Sequence, residues 1–135
     1  MSARPNIIIA EDDKLVRTIY MRTLPELLPE YSLYIHEDGQ AALSSARNHH
    51  PTLVITDINM PRCSGLALYR GIKQHCEMMR RQLPIFIFCS AVKQALDSLD
   101  PECMQAPHQR LPKPFPPTRL LEAIREALGS DPHIG

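Results

Sequence analysis

Apolar residues recur along the 135-residue chain with two alternating spacings. Short β-branched or aromatic runs predict buried strands, and apolar residues three or four apart predict helices. The predicted strands are 7–10, 31–36, 53–56, the run IFIFCSA after Pro84, and a short fifth strand around Leu111 in QRLPKPF. The predicted helices run from Lys14 to near Pro25 and over 39–48, 65–76 and 91–99, with a last one on the stripe Leu120, Leu121, Ile124 and Leu128.

This alternation of strand and helix predicts an α/β protein with a parallel sheet that helices cover on both faces. In the usual order for five such units, strands one, three, four and five are neighbours. The length suits one domain, which we expect to span 1–135 with a core over about 5–129. Residues 130–135 are expected to form a flexible tail.

Composition excludes several function classes. The chain has 15 basic and 15 acidic residues, so no global charge attracts nucleic acid or anionic lipid. Its apolar runs are too short to span a bilayer, and it opens on no secretory leader. Four cysteines contain no C-x-x-C pair, and six histidines are scattered, so a zinc site is not supported. We therefore expect a cytoplasmic protein with reduced thiols.

Polar residues follow four of the predicted strands. In an open parallel sheet the carboxyl ends of the strands meet at one crevice, so these side chains should converge. Three carboxylates this close repel one another by about 4 kcal/mol per pair at an effective dielectric constant near 20. The cluster therefore predicts a bound cation, and oxygen ligands favour Mg²⁺. The converging residues are Glu11, Asp12, Asp13, Asp57, Cys89, Ser90 and Lys113.

Four motifs in this set resemble the receiver domain of two-component response regulators. They are IIIAEDD, VITDINMP, FCSA and LPKPF, in the family's order and at about its spacing. The resemblance covers roughly residues 5–129. It implies a flavodoxin-like, doubly wound (βα)5 fold with a five-stranded parallel sheet of order 2-1-3-4-5.

The resemblance also implies a metal site. Asp12 would bind Mg²⁺ directly and Glu11 through water, with Mn²⁺ as a possible substitute. Asp57 would be both a metal ligand and the phosphoacceptor. Asn59 would complete the site through its backbone carbonyl. Asp13, to which the resemblance gives no role, is interpreted from the sequence as a helix cap.

Two further residues would act on the phosphoryl group. Ser90 matches the hydroxyl residue, and Lys113 matches the lysine that pairs with a phosphoryl oxygen. In the family, the bond between this lysine and the proline after it, here Pro114, is usually cis. Shifting the alignment by one residue would put Cys89 at the hydroxyl position; Ser90 is preferred because a thiol is a poorer partner for phosphate.

The sequence departs from the family pattern in the segment before the lysine and beside the hydroxyl. Arg110 stands where the family most often has an aromatic switch residue, and an arginine is costly to bury. Pro101 and Pro107 would break a regular fourth helix. Val92 offers no polar group to position water, which predicts slow loss of the phosphoryl group.

The predicted function is a signalling switch that accepts a phosphoryl group on Asp57 from a histidine kinase or histidine phosphotransfer protein. Such a chain catalyses only its own Mg²⁺-dependent phosphorylation and dephosphorylation. An output domain or protein would read the signal, and a homodimer could form through strand four, strand five and the last helix. Neither nucleic acid nor a membrane is expected as a direct partner. The chain would be a stand-alone receiver or the amino-terminal part of a longer regulator.

Two alternatives belong to other classes. A receiver-like interaction module would work without phosphorylation, but it would be free to lose one of the five residues Glu11, Asp12, Asp57, Ser90 and Lys113. A phosphatase of the haloacid dehalogenase class carries a second acid two residues after the first, where this chain has Asn59. No G-x-x-x-x-G-K-[ST] loop is present, which argues against nucleotide binding of that kind.

Overall fold

Five strands form one parallel sheet in the order β2-β1-β3-β4-β5 in the computed structural model, which describes residues 5–97, 99 and 107–129. The strands are β1 (Asn6–Ala10), β2 (Ser32–His36), β3 (Leu53–Asp57), β4 (Ile85–Ser90) and β5 (His108–Pro112). The helices are α1 (Lys14–Leu27), α2 (Gly39–His49), α3 (Gly65–Met79), α4 (Lys93–Asp97) and α5 (Pro117–Leu128). The predicted α/β class and strand order are confirmed.

The core has two halves because successive residues of a strand point to opposite faces of the sheet. Ile8, Val54 and Phe86 belong to the half that also contains Tyr69 of α3. The other half combines the alternate strand residues with residues of α1 and α5. Full burial of each large apolar side chain contributes about 1.5–3 kcal/mol to the free energy of folding. Strands β1 and β3 are apolar on both faces because each face packs into one half of the core.

Helix α1 corrects one predicted boundary. Its N-terminus matches the prediction, because Asp13 Oδ1 accepts hydrogen bonds from the backbone N–H groups of Leu15 and Val16. The expected end near Pro25 is wrong, since the helix continues to Leu27 with the proline inside it. Pro25 lies in the last turn of the helix, where its missing N–H removes only one backbone hydrogen bond. The buried side chains of Leu24 and Leu28 hold that turn against the sheet.

The region before β5 was expected to be irregular. Helix α4 spans Lys93–Asp97, which is shorter than the predicted 91–99. Pro101 and the expected tail 130–135 lie outside the described residues. Pro107 directly precedes β5. Within the described ranges, no helix has the length and apolar character needed to cross a membrane.

Candidate functional site

The predicted site residues lie at the carboxyl ends of four neighbouring strands. Glu11 and Asp12 follow β1, Asp57 ends β3, Ser90 ends β4, and Lys113 follows β5. Strand register brings them together, since the N–H of Lys113 donates to the carbonyl of Ser90 at 2.9 Å. The peptide bond from Lys113 to the next residue is cis, as the resemblance implies.

Lys113 connects two buried carboxylates. Its Nζ lies 2.7 Å from Asp57 Oδ1 and 3.0 Å from Glu11 Oε1. The two acids are 5 % and 2 % exposed, so water screens neither of them well. In this setting an ammonium offsets much of the repulsion between the acids, because the attraction is stronger in a medium of low dielectric constant.

Three acids form a group that can hold a cation. Glu11, Asp12 and Asp57 each offer one carboxylate oxygen, and these oxygens lie within 4.8 Å of one another. Asp57 Oδ2 is buried and has no hydrogen-bond partner, which is unusual for a buried polar atom. Asp12 is exposed and leaves the group open to solvent. An all-oxygen set with an open side fits Mg²⁺, which retains several waters.

The charged groups of this cluster shift one another's pKa values. Burial and the neighbouring Glu11 carboxylate raise the pKa of Asp57 to about 8, although Lys113 acts in the opposite direction. Burial lowers the pKa of Lys113, but its bonds to Asp57 and Glu11 outweigh this and leave it above its ordinary value. The lysine therefore stays charged, and a cation bound at Asp57 would displace a proton.

Cys89 and Ser90 are consecutive residues of β4, so their side chains point to opposite faces of the sheet. Cys89 packs in the core half shared with α1 and α5 and is 2 % exposed. Burial raises the pKa of its thiol, with the Asp57 charge adding to the effect, so the sulfur stays neutral. Ser90 Oγ accepts a hydrogen bond from the N–H of Val92 at 3.0 Å. A free hydroxyl proton thus remains on Ser90, at the end of the strand.

The segment after β3 is held in place by close backbone contacts. The N–H of Gly65 donates to the carbonyl of Ile58 at 2.8 Å. A Cβ atom on Gly65 would lie only 2.4 Å from the carbonyl oxygen of Asp57, so glycine is required there. Asn59 is exposed within this segment, two positions after Asp57.

Two arginines contribute contacts that sequence reasoning missed. An Nη1 of Arg17 donates to the carbonyl of Glu11 at 2.9 Å, which fixes the end of β1. Arg62 Nη1 lies 2.7 Å from Oδ2 of Asp38, the N-cap of α2, and so ties the segment after β3 to that helix. Arg62 reaches it with a left-handed backbone, φ 67°. Neither residue stands in a recognisable motif.

Arg110, at the expected switch position, is half-buried on β5. It pairs in register with Phe88 of β4. A half-buried position does not require full desolvation of the side chain, so an arginine is tolerated there. The difference from the usual aromatic residue is therefore accommodated by partial exposure.

Comparison with known proteins agrees with this geometry. The family model described as response regulator receiver domain matches residues 7–125. The response regulator MprA of Mycobacterium sp. (strain KMS) is 31% identical over 124 residues, covering 90% of this chain and 50% of that protein. The chain thus spans about half the length of the curated relatives it matches.

Solved structures show the same fold. The N-terminal domain of WS1339 from Wolinella succinogenes is 27% identical, with a TM-score of 0.72 over 92% of this chain and 93% of that one. The receiver domain of the sensor histidine kinase PA1611 from Pseudomonas aeruginosa PAO1 is 24% identical, with a TM-score of 0.69 over 94% of this chain and 99% of that one. From its motifs, its fold and these matches, the chain belongs to the response regulator receiver domain family.

Proposed function

We propose that the chain is a phosphorylation-dependent switch in which Asp57 accepts a phosphoryl group from a histidine kinase or histidine phosphotransfer protein. The observation that carries this proposal is the buried Asp57 Oδ2, which has no partner although Lys113 holds the other oxygen. A carboxylate fixed through one oxygen leaves the second free to attack phosphorus.

The residues around Asp57 supply complementary actions. As Asp57 Oδ2 forms a bond to phosphorus, the P–N bond of the donor phosphohistidine breaks and the imidazole leaves. Lys113 is already charged and 2.7 Å from Asp57, so its ammonium can pair with a phosphoryl oxygen without a change of protonation. Ser90 has a hydroxyl proton to donate to another phosphoryl oxygen.

The metal proposed for this site is Mg²⁺, with Mn²⁺ as a possible substitute. Asp12, Asp57 and the backbone carbonyl of Asn59 would hold it, with Glu11 acting through water. A divalent cation there would neutralise phosphoryl oxygens during transfer. The PA1611 receiver domain, which shares the fold, has a magnesium ion coordinated in its active site cleft. The donor set of this chain fits the same ion because three carboxylate oxygens lie within 4.8 Å.

The remaining parts of the proposal concern the whole protein. Residues 1–135 would form one receiver domain that works in the cytoplasm. Receiver domains are signalling modules, and turnover here would be limited to the chain's own phosphorylation and dephosphorylation. A downstream output domain or protein would recognise the phosphorylated form, and a homodimer could form through β4, β5 and α5. Arg119 of α5 lies 3.4 Å and 3.5 Å from Glu122 and Glu126 of the same helix, and exposed pairs of this kind could exchange partners across such a dimer.

Mass spectrometry after incubation with acetyl phosphate and Mg²⁺ tests the proposal. One phosphoryl group should be added to the wild type and none to Asp57→Asn. Asp13→Asn is the matched control, because it removes the same charge two positions from Glu11 while asparagine still caps α1. Asp13→Asn should therefore be phosphorylated like the wild type.

The metal requirement can be separated in the same assay. Asp12→Asn should lose phosphorylation and also the Mg²⁺-dependent rise in melting temperature. An adduct that survives Asp57→Asn would contradict the assignment of the phosphoacceptor. A wild type that takes up neither a phosphoryl group nor beryllofluoride would favour an interaction module that works without phosphorylation.

A further inference from the structure

A cavity of about 700 Å³ lies at the end of the sheet opposite Asp57. Its wall includes Thr52, which precedes β3, and Pro84, which precedes β4. The C-terminal turns of α2, α3 and α5 close its sides. Because β3 and β4 run from this cavity to the candidate phosphoacceptor site, the two sites are separated by the length of those strands. Its volume falls within the range of small-molecule sites in proteins.

The cavity wall carries four basic side chains. Arg47, His50, His75 and Arg81 line it, and no acidic residue is among the described residues of its wall. The two arginines occur in none of the ion pairs among the described residues. In a chain with no net charge, this is a local concentration of positive charge. Guanidinium groups that carry no carboxylate partner can bind phosphate or carboxylate groups of a ligand.

The two histidines are arranged as a pair. Their rings are nearly parallel, with an angle of 9° and centroids 6.0 Å apart. His75 Nε2 is buried and has no hydrogen-bond partner. Burial lowers the pKa of His50, and repulsion from Arg81 and His75 adds to the effect. An anion within the cavity would relieve the repulsion that Arg81 and His75 exert on His50.

Most of the remaining wall is apolar. Ile72 and Cys76 of α3, Leu83, and Leu128 of α5 contribute side chains that pack around a ligand without hydrogen bonds. A free inorganic ion would use the basic side chains alone. A ligand that fills the cavity therefore needs an apolar body as well as an anionic group.

We propose that this cavity binds a small organic phosphate, with the phosphate on Arg81 and Arg47 and the apolar body against Ile72 and Leu128. The site is independent of Asp57 and of the metal. Its ligand would bind at the amino ends of β3 and β4 whether or not the chain is phosphorylated.

Fluorescence titration of the full chain with 1-naphthyl phosphate, in EDTA at pH 7.5, tests the proposal. We expect a dissociation constant below about 1 mM. 1-Naphthol, which lacks the phosphate, and inorganic phosphate, which lacks the apolar body, should each bind at least about tenfold more weakly. EDTA removes divalent cations that could attract phosphate to the acidic site.

Three variants locate the binding. Arg81→Ala and Arg47→Ala remove exposed guanidinium groups and should each weaken binding by about tenfold. Arg22→Ala on α1 is the matched control, because it removes the same charge from an exposed position outside the cavity wall. It should bind like the wild type. In NMR spectra, the ring C–H signals of His50 and His75 should shift with the ligand.

Several results would overturn the proposal. These are no binding of 1-naphthyl phosphate at about 5 mM, equal binding of 1-naphthol, or equal binding of inorganic phosphate. Equal weakening by Arg22→Ala and Arg81→Ala would show non-specific charge attraction. Shifts at Lys113 instead of the two histidines would place the ligand at the acidic site. Phosphorylation of Asp57 is measured separately, so its failure would leave these outcomes unchanged.

Discussion

Lys113 binds one oxygen of Asp57 and leaves the other buried without a partner. The ammonium lies 2.7 Å from Oδ1, so the lysine orients the carboxylate without covering Oδ2. Burial and Glu11 nevertheless keep the pKa of Asp57 raised. The ionised form of Asp57 therefore lowers the free energy of unfolding, and this cost can be measured.

Asp57→Asn should stabilise the chain when no divalent cation is present, and increasingly so at higher pH. The pKa of Asp57 is about 8 in the folded chain and near 3.9 in the unfolded chain, so the folded state holds one more proton between these values. Stability from this group is therefore present at low pH and lost as the pH rises through 8. In urea unfolding with EDTA, the free energy of unfolding of the variant should exceed that of the wild type by a margin that grows by roughly 3–4 kcal/mol between pH 5 and pH 8.

Comparing the two proteins cancels every pH-dependent contribution that they share. Asp97→Asn, at the exposed end of α4, removes a carboxyl group outside the site and is the control for the loss of one acid. A pH-independent gap for Asp57→Asn would mean that Asp57 is ionised throughout.

Lys113→Gln should destabilise the chain in EDTA and strengthen its binding of Mg²⁺. Without the ammonium, the buried carboxyl groups of Asp57 and Glu11 lose their hydrogen-bonding counter-charge, and we expect a loss of about 2 kcal/mol. A divalent cation would then meet no competing positive charge. Chemical unfolding with and without Mg²⁺ measures both effects.

Lys73→Gln provides the comparison for Lys113→Gln. Lys73 forms an exposed pair with Glu77 at 3.8 Å one turn along α3, and such pairs contribute at most about 0.5 kcal/mol. Equal losses in the two variants would argue against the proposed role of Lys113 as the counter-charge.

Gly65→Ala should lower stability by about 1–3 kcal/mol, because its Cβ would overlap the carbonyl oxygen of Asp57 at 2.4 Å. Gly71→Ala makes the same substitution within α3, where the added atom meets the ends of the Leu43 side chain at 2.8 Å and 2.9 Å. That side chain can move, so Gly71→Ala should cost less. Thermal unfolding of both variants makes the comparison, and Gly65→Ala should also slow phosphorylation.

The phosphorylated chain should lose its phosphoryl group slowly, with a half-life of minutes or longer. Val92 is 48 % exposed beside Ser90 and has no polar group that could align an attacking water. Val92→Gln should shorten the half-life severalfold, and Val92→Leu should not. Intact mass followed over time after removal of the phosphodonor gives both rates. Wild-type decay within seconds would contradict the prediction.

The sequence predicted the strands and the convergence of their polar ends because both follow from local patterns. Asp57 is recognisable because it ends an apolar strand, and Lys113 because it lies in the motif LPKPF at the end of the short fifth strand. Parallel strands bring such positions to one edge. The end of α1 was misplaced because burial of Leu24 and Leu28 outweighs the usual effect of Pro25.

Contacts between distant segments could not be read in this way. Arg62 reaches Asp38 across 24 positions, and Arg17 bonds a backbone carbonyl rather than a side chain. The basic cavity likewise joins residues from three helices and two strand entrances, and no local motif marks it.

The hydrogen bond from the Val92 N–H to Ser90 Oγ has a mechanical consequence. Helix α4 begins at the next residue, Lys93, so the hydroxyl is joined to the first turn of a helix by one amide. If the Ser90 side chain rotates toward a phosphoryl oxygen, the Val92 N–H must either move with Oγ or lose this hydrogen bond. A change of charge at the end of β3 would then act on α4 as a change in tension at its N-terminus, transmitted through a single serine side chain.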